Sequence, residues 1–319
     1  MSKTKYIEET FHEDWRIRLQ VHEMLHEVKT KHQHLAIFKN NTWGTVLVLD
    51  GVIQLTTSDE FIYHEMMAHV PLMSLERPSR VLVVGGGDGG VLREVLKHGS
   101  VKKATLCEID RSVIDLSLKH YPEISDGAFD HARAEVVIAD GLKYVADTKE
   151  RFDAIIVDSS EPIGPSAVLH SAAFFADCKR ALKDGGILVT QNGLPNLCQP
   201  EVVSTTSIFA GLFKHPAPYL CTQPCYFGGP FLLNAASDGD AMTTTPVATL
   251  KRRVTSRKIS TRYYTPELHP ASFVIPRYIQ DVIDEGLHAG RKGPGQKASG
   301  KKAGGKRAAS GKAKKAAKR

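Results

Sequence analysis

Six consecutive residues, Gly85-Gly86-Gly87-Asp88-Gly89-Gly90, follow the apolar run VLVV and open a stretch with helical spacing. Glycines in such a turn let the backbone come close to a nucleotide. The next apolar run ends about 20 residues later at Glu108, where a carboxylate can accept hydrogen bonds from both hydroxyls of a ribose. Tight turns and an exposed acid in an ordinary α/β protein would produce the same spacing. Asp88 narrows the choice, because a carboxylate in a loop that cradles an anionic pyrophosphate carries a Coulombic cost. The ligand is therefore expected to be cationic at that end. A nucleoside bearing a sulfonium and a terminal ammonium meets both conditions, with its ribose on Glu108 and its positive charge near Asp88, whereas NAD meets only the first.

Two further strand ends carry acids. Asp140-Gly141 closes the third apolar run, and Asp140 there can accept from the exocyclic amine of adenine, cap a helix, or do both. The fourth run, FDAIIVD, ends in Asp158-Ser159-Ser160-Glu161-Pro162-Ile163-Gly164-Pro165. Asp158 and Glu161, three residues apart on a proline-rich loop, could bind and desolvate a cationic acceptor at the edge where such sheets take ligands.

These acids need a scaffold that brings the carboxyl ends of several strands together. VLVVG, ATLCEI, AEVVIA, FDAIIVD and GILVTQ are short apolar runs separated by helical stretches such as 90–97 and 171–182, the pattern of a doubly wound, mostly parallel, Rossmann-like sheet of the methyltransferase type. Upstream, WRIRLQVH, LAIFKN and WGTVLVLDGVIQL alternate apolar and polar residues between turns at Asn40-Asn41 and Asp50-Gly51, which predicts a small antiparallel sheet. Residues 58–74 have helical spacing, with Ser58 or Asp59 as N-cap and Phe61, Met66, Met67 and Val70 on a buried face. The region 217–236 reads as two strands in an antiparallel edge hairpin, followed by helices near 247–256 and 276–285. The expected units are residues 1–56 as an N-terminal β domain, 57–289 as the Rossmann-like domain and 290–319 as a disordered basic tail.

The chain has 319 residues, 42% of them hydrophobic, enough for a large buried core. Its net charge of +7 is unevenly divided. Residues 290–319 hold 12 Lys and Arg and no acid, which leaves 30 basic against 35 acidic residues before them, a body charge of −5. The tail has no aromatic or large aliphatic residue to bury, and weak contact with a polyanion is the partner it suggests. No run approaches the roughly 18 apolar residues of a membrane span, and Met1 to Glu9 lacks a signal-peptide core, so the expectation is a cytoplasmic protein with no membrane partner. Five cysteines show no C-x-x-C pairing and read as free thiols, with no metal site expected.

Taken together, the strings LVLDGVIQ, DEFIYHEMMAHVPL, VVGGGDGGVLREV, EID, DG, DSSEPIGP, QNG, YFGG and RYYTPELHPASFVIPRY resemble the spermidine synthases, most of all the bacterial enzymes, over roughly residues 6–285. The resemblance implies an aminopropyltransferase of polyamine biosynthesis. Such an enzyme carries the aminopropyl group of decarboxylated S-adenosylmethionine to putrescine, giving spermidine and 5′-methylthioadenosine, with no cofactor beyond that co-substrate. It also implies a donor site of Gln33, His64, Asp88 for the aminopropyl ammonium, Glu108 for ribose, Asp140 with Gly141 for adenine, and Pro165. Asp158 is implied as the catalytic group and part of an acceptor site with Tyr63, Glu161, Tyr226, Gln54 and Trp15. The implied assembly is a homodimer or homotetramer. Glu161 stands where the family usually has Asp, which leaves cadaverine or 1,3-diaminopropane open as alternative acceptors. A small-molecule methyltransferase using ordinary S-adenosylmethionine is the enzymatic rival, and a polyanion-binding protein the non-enzymatic one.

Overall fold

The computed structural model of the chain describes residues 4–12, 15–160 and 168–291. The N-terminal strands come in two sets. β1 (Lys5–His12) and β2 (Trp15–Val21) pair as an isolated antiparallel hairpin, while β3 (Glu23–Lys29), β4 (His34–Asn40), β5 (Gly44–Leu49) and β6 (Val52–Thr56) form a four-stranded antiparallel sheet. Both predicted turns are present. At the second, Asp50 and Gly51 take φ of 47° and 86° between the paired residues Leu49 and Val52, the two-residue connection whose twist matches that of the strands it joins. Alternation along β4 sends Leu35 and Ile37 to one face and Ala36 and Phe38 to the other. The first face packs on Val113, Tyr121 and Ile124 of the following domain, and the second on Val21 and its hairpin neighbours, so neither face of this sheet is left to water.

The expectation of one small sheet from Trp15 to Gln54 therefore needs correction. Trp15–Val21 pairs with Lys5–His12, outside the sheet that holds the other strands. β1 and β3 carry too many charged residues to stand out by apolar alternation, and the pairing depends on partners the local pattern does not show.

The chain then enters α1 (Glu60–Ser74) and the alternating part: β7 (Arg80–Gly85), α2 (Gly90–Leu96), β8 (Lys103–Glu108), α3 (Arg111–His120), α4 (Pro122–Ser125), β9 (Ala134–Ile138), α5 (Gly141–Asp147), β10 (Phe152–Asp158), α6 (Ala172–Ala181), β11 (Leu182–Gln191) and α7 (Gln199–Leu212). β12 (His215–Pro216), β13 (Tyr219–Thr222) and β14 (Pro230–Ser237) follow, and α8 (Ala241–Thr244), α9 (Val247–Arg257), α10 (Leu268–Ala271) and α11 (Arg277–Arg291) close the described chain. The large sheet runs β12-β14-β11-β10-β7-β8-β9, with β13 also on β14. The five strands from β11 to β9 are parallel, and β12 to β14 add the expected antiparallel edge. Apolar side chains cover both faces, Val81 and Val83 on one side and Leu82 and Val84 on the other, as strands apolar at every position require. Strand order reverses between β7 and β10, and doubly wound sheets bind ligands in the crevice at that switch.

α1 lies against this sheet and is buried almost all round, with Phe61 half-buried and Met66, Met67 and Val70 fully covered. Asp59 is its N-cap residue but makes no capping bond. Its carboxylate is engaged elsewhere, accepting from the Thr56 hydroxyl at 2.6 Å and from the Cys225 amide at 2.8 Å. Glu65, 1% exposed, accepts the backbone amides of Arg262, Tyr263 and Tyr264 at 2.7 to 2.8 Å and so ties the C-terminal segment to α1. Glu65→Gln puts an NH2 group against donors it cannot pair with. It is expected to cost about 2–4 kcal/mol of stability, read by urea denaturation at fixed protein concentration.

Candidate active site

The loop after β7 folds back over the end of β10. Gly85 (φ 83°) pairs with Asp158 across the sheet, and a Cβ there would lie 2.1 Å from the Asp158 carbonyl oxygen. At Gly86 (φ 71°) a Cβ would come within 2.8 Å of Asp158 Oδ2. These two glycines are what allow the loop to sit on the carboxylate. The Gly86 amide donates to the Asp158 carbonyl at 3.0 Å, and Asp88 accepts from the Gly90 amide at 2.7 Å, which fixes its side chain at the start of α2.

Asp158 is the centre of the pocket. The Tyr63 hydroxyl on α1 donates to Oδ1 at 2.9 Å, while Oδ2 is buried without a hydrogen-bond partner among the described residues. Burial, and after it the nearby Asp88 carboxylate, push the Asp158 carboxyl up to about 7, against the pull of His64 and Tyr63. His64 bridges Glu60 at 2.6 Å and Asp88 at 3.3 Å. Ligand atoms of His64, Asp88 and Asp158 all lie within 4.8 Å of one another, a spacing that suits a cation.

Glu108 ends β8 7% exposed, with Oε1 accepting from the Asp110 amide at 2.8 Å. Burial pushes its carboxyl up to about 7 despite that bond. Gly87 packs against it, and a Cβ there would lie 3.1 Å from Glu108 Oε2. Asp140 caps α5 through a bond from the Leu142 amide at 2.9 Å and lines the cavity with Gly141, whose missing Cβ makes room for Val84. Across the cavity the Tyr226 ring stands 6.4 Å from that of Tyr63, and its hydroxyl donates to the Gln54 carbonyl. Gln33 lines the far side with its amide on Asp110 at 3.3 Å.

Two lining residues have no expected role in the sequence reading. Glu9, on β1, is 6% exposed, accepts from the Ile53 amide at 2.9 Å, and is pushed up to about 7 by burial. Gln191, at the end of β11, donates to the Ser159 carbonyl at 3.3 Å and leaves its own amide oxygen buried without a partner among the described residues. An acid at an inward position of a two-period strand, two residues after Ile7, is the signal that could have found Glu9. Six carboxylates line the cavity, those of Glu9, Asp50, Asp88, Glu108, Asp140 and Asp158, and among the described residues no lysine or arginine does.

Residues 60–245 match the spermine/spermidine synthase domain, and residues 6–57 match the spermidine synthase tetramerisation domain. The chain belongs to the spermine/spermidine synthase family. It is 46% identical over 276 residues to polyamine aminopropyltransferase 1 of Pseudomonas aeruginosa, covering 86% of this chain and 96% of that one. To the polyamine aminopropyltransferase of Ruegeria sp. it is 45% identical over 280 residues, 88% and 99% of the two chains. Among solved structures, spermidine synthase in complex with the transition-state analogue AdoDATO superposes with a TM-score of 0.84 at 34% identity, over 88% of this chain and 96% of that one. Thermotoga maritima spermidine synthase gives 0.80 at 33%, over 88% and 95%. The protein is thus a transferase of polyamine biosynthesis, and its N-terminal unit is the family's assembly module, which makes it an oligomer.

Of the thirteen expected site residues, ten line one cavity: Gln33, His64, Asp88, Glu108, Asp140 and Gly141 of the set expected at a donor, and Tyr63, Asp158, Tyr226 and Gln54 of the set expected at an acceptor. Trp15 does not. It is 42% exposed and packs edge-on against Phe227 at 5.2 Å, one ring behind the cavity wall, because the hairpin that carries it crosses outside the four-stranded sheet. Glu161 and Pro165 lie outside the described residues. All five cysteines are free and buried, as expected, and among the described residues no helix is long and apolar enough to cross a membrane.

Glu108 illustrates the cost of such a pocket. A carboxyl raised to about 7 destabilises the empty fold only when it must ionise. The penalty is absent below its unfolded pKa, grows as pH rises, and is complete above about 7. Glu108→Gln, which keeps an acceptor for the Asp110 amide, is expected to raise stability at pH 8 by about 2 kcal/mol and to leave it unchanged at pH 4. Urea titrations of the unliganded protein at the two pH values check this.

Proposed function

We propose that the protein transfers the aminopropyl group of decarboxylated S-adenosylmethionine to putrescine, forming spermidine and 5′-methylthioadenosine. The observation that carries this reading is the charge of the cavity, with six carboxylates and neither lysine nor arginine among its described lining residues. A donor with a sulfonium and an ammonium suits it, and so does a diamine acceptor. Ordinary S-adenosylmethionine, as a methyltransferase would use it, brings its own carboxylate towards Asp88. In this reading Glu108 holds the ribose, Asp140 and Gly141 border the adenine, and Asp88 takes the propylammonium. Gln33 lies beside the donor as well.

The amine nitrogen attacks the carbon attached to the sulfonium. An N–C bond forms as the C–S bond breaks, and the thioether leaves neutral. The sulfonium is already a good leaving group, so the protein supplies alignment and a neutral nucleophile. An alkylamine with a pKa near 10 is almost wholly protonated in neutral water. Above pH 7 Asp158 is a carboxylate, held in orientation by Tyr63, and its unpartnered Oδ2 accepts from the amine and takes the proton released on attack. Tyr226, with Gln54 behind it, walls the alkyl chain, and Glu9 stands at the N-terminal side of the same cavity as the anchor for the far ammonium. No step needs a cofactor or metal, since the cation site formed by His64, Asp88 and Asp158 is filled by substrate. A dimeric or tetrameric assembly and a cytoplasmic location complete the reading, with weak polyanion contact through the basic residues at the C-terminus.

Incubation with both donors and putrescine tests the assignment. Methylthioadenosine and spermidine are expected, and S-adenosylhomocysteine as the sole nucleoside product would refute it. A competition among putrescine, cadaverine and 1,3-diaminopropane settles the acceptor. Asp158→Asn is expected to lower kcat by about 10²-fold or more while donor binding is retained. Glu9→Gln is expected to raise the KM for putrescine roughly tenfold with kcat nearly unchanged, the mark of lost uniform binding at the far end of the acceptor.

A further inference from the structure

His64 has a carboxylate at each ring nitrogen. Nδ1 lies 2.6 Å from Glu60 Oε2, one turn back on α1, and Nε2 lies 3.3 Å from Asp88 Oδ1 in the loop after β7. Nδ1 is hydrogen-bonded to Glu60, while Nε2 stands in ion-pair contact with Asp88, so a neutral ring serves Glu60 alone and an imidazolium also sets a positive charge against Asp88. The ring is 3% exposed, so bulk water does not stand in for either partner. Its place is fixed by packing, since a Cβ on Gly90 would fall 2.1 Å from Nδ1 and the Tyr63 ring stands edge-on at 5.6 Å. Glu60 is itself gripped by both terminal nitrogens of Arg93, at 2.9 and 3.3 Å, which holds its carboxylate on Nδ1. Burial opposes charge on the imidazole, but Asp88, Glu60 and then Asp158 outweigh it and hold the group up to about 9.

The carboxylate that faces His64 Nε2 is the one that would receive the donor's ammonium. Two cations sharing it at close range in a site closed to water repel each other strongly. We infer that His64 is a displaceable counter-ion: its imidazolium occupies Asp88 in the empty pocket, and arrival of the donor's propylammonium at Asp88 expels the Nε2 proton. The balance is simple. One N–H bond at Nε2 breaks, its proton passes to buffer, and the ring keeps Nδ1–H on Glu60 while the freed Nε2 lone pair can accept from the incoming ammonium. The Glu60–Arg93 pair keeps the remaining proton on Nδ1, so the lone pair forms on the substrate side. The inference rests on the assignment of Asp88 to the donor's ammonium.

Calorimetric titration with decarboxylated S-adenosylmethionine, without acceptor, in two buffers of different ionisation enthalpy at pH 8.2 reads the proton directly. At that pH Asp158 and Glu108, both near 7, are already ionised, and His64 still carries its charge. The other groups that face the ring have no proton to release. Glu60 is held below the usual carboxylate range, where its bonds to His64 and Arg93 overcome burial, and burial followed by the Asp158 charge holds the Tyr63 proton in place. The expected result is release of about 0.5–1 proton per donor bound, against less than about 0.1 for 5′-methylthioadenosine, which has the nucleoside but no ammonium. His64→Gln is expected to bind donor without release, and the wild-type comparison of the two ligands decides the matter even if that variant does not fold. Donor bound with no proton released would overturn the displacement and leave the proposed function standing, whereas failure of the donor to bind at all would remove both.

Discussion

Carboxylates held away from water without enough positive charge are the constraint on which this molecule turns. Asp158, Glu108 and Glu9 are all pushed up to about 7 by burial, each with only one or two hydrogen bonds to offset it. A fold selected only for stability would replace such groups with apolar side chains or pair them with arginine. Here arginine is kept one step back. Arg93 meets Glu60 and Glu94, not the pocket acids, and the positive group that reaches the pocket is His64, whose charge can be removed. The pocket is left short of cations, and its natural complement is a ligand that brings them.

Holding these acids in place takes rigid support from three directions. The β7 and β10 strands set Gly85 beside Asp158, and the absence of side chains at Gly85 and Gly86 lets the loop close on it. α1 supplies Tyr63 and His64 on successive positions, and the network from Glu60 through Arg93 to Glu94, His69 and His98 runs behind it through buried side chains. Glu65, next in sequence to His64, clamps the segment after α9 to the same helix. Consecutive residues of one helix thus face the cavity, the charge network and the C-terminal segment in turn. A buried helix can do this because it has no solvent face to spare.

What the sequence made legible follows from how local each signal is. The parallel strands carry near-continuous apolar runs, and the acids at their carboxyl ends, Glu108, Asp140 and Asp158, meet at one edge because doubly wound topology puts those ends together. The Asp50-Gly51 turn is set by the backbone conformation those two residues tolerate. Less local features were hidden. β1 and β3 are mostly polar and are strands because of what pairs with them. Asp59 looks like a helix cap, but its carboxylate is taken by the Cys225 amide 166 positions away. Glu9 is buried only because its hairpin folds onto Ile53, 44 positions on, and Trp15 is pulled off the cavity by the same hairpin. No window along the chain contains these contacts.

The N-terminal unit that the family uses for assembly is also part of the cavity wall. Glu9 and Gln54 come from its strands and Gln33 from the turn before β4, while Asp88, Glu108, Asp140 and Asp158 come from the ends of the parallel strands and the loops that follow them. The two surfaces are joined by the packing of Leu35 and Ile37 on Val113, Tyr121 and Ile124, and by the bond from the Tyr226 hydroxyl to the Gln54 carbonyl. Four of the six acids that line the cavity therefore come from the Rossmann-like domain, and Glu9 and Asp50 come from the N-terminal unit. The cavity is thus closed by both units together, and neither its acidic lining nor its shape belongs to one part of the fold alone.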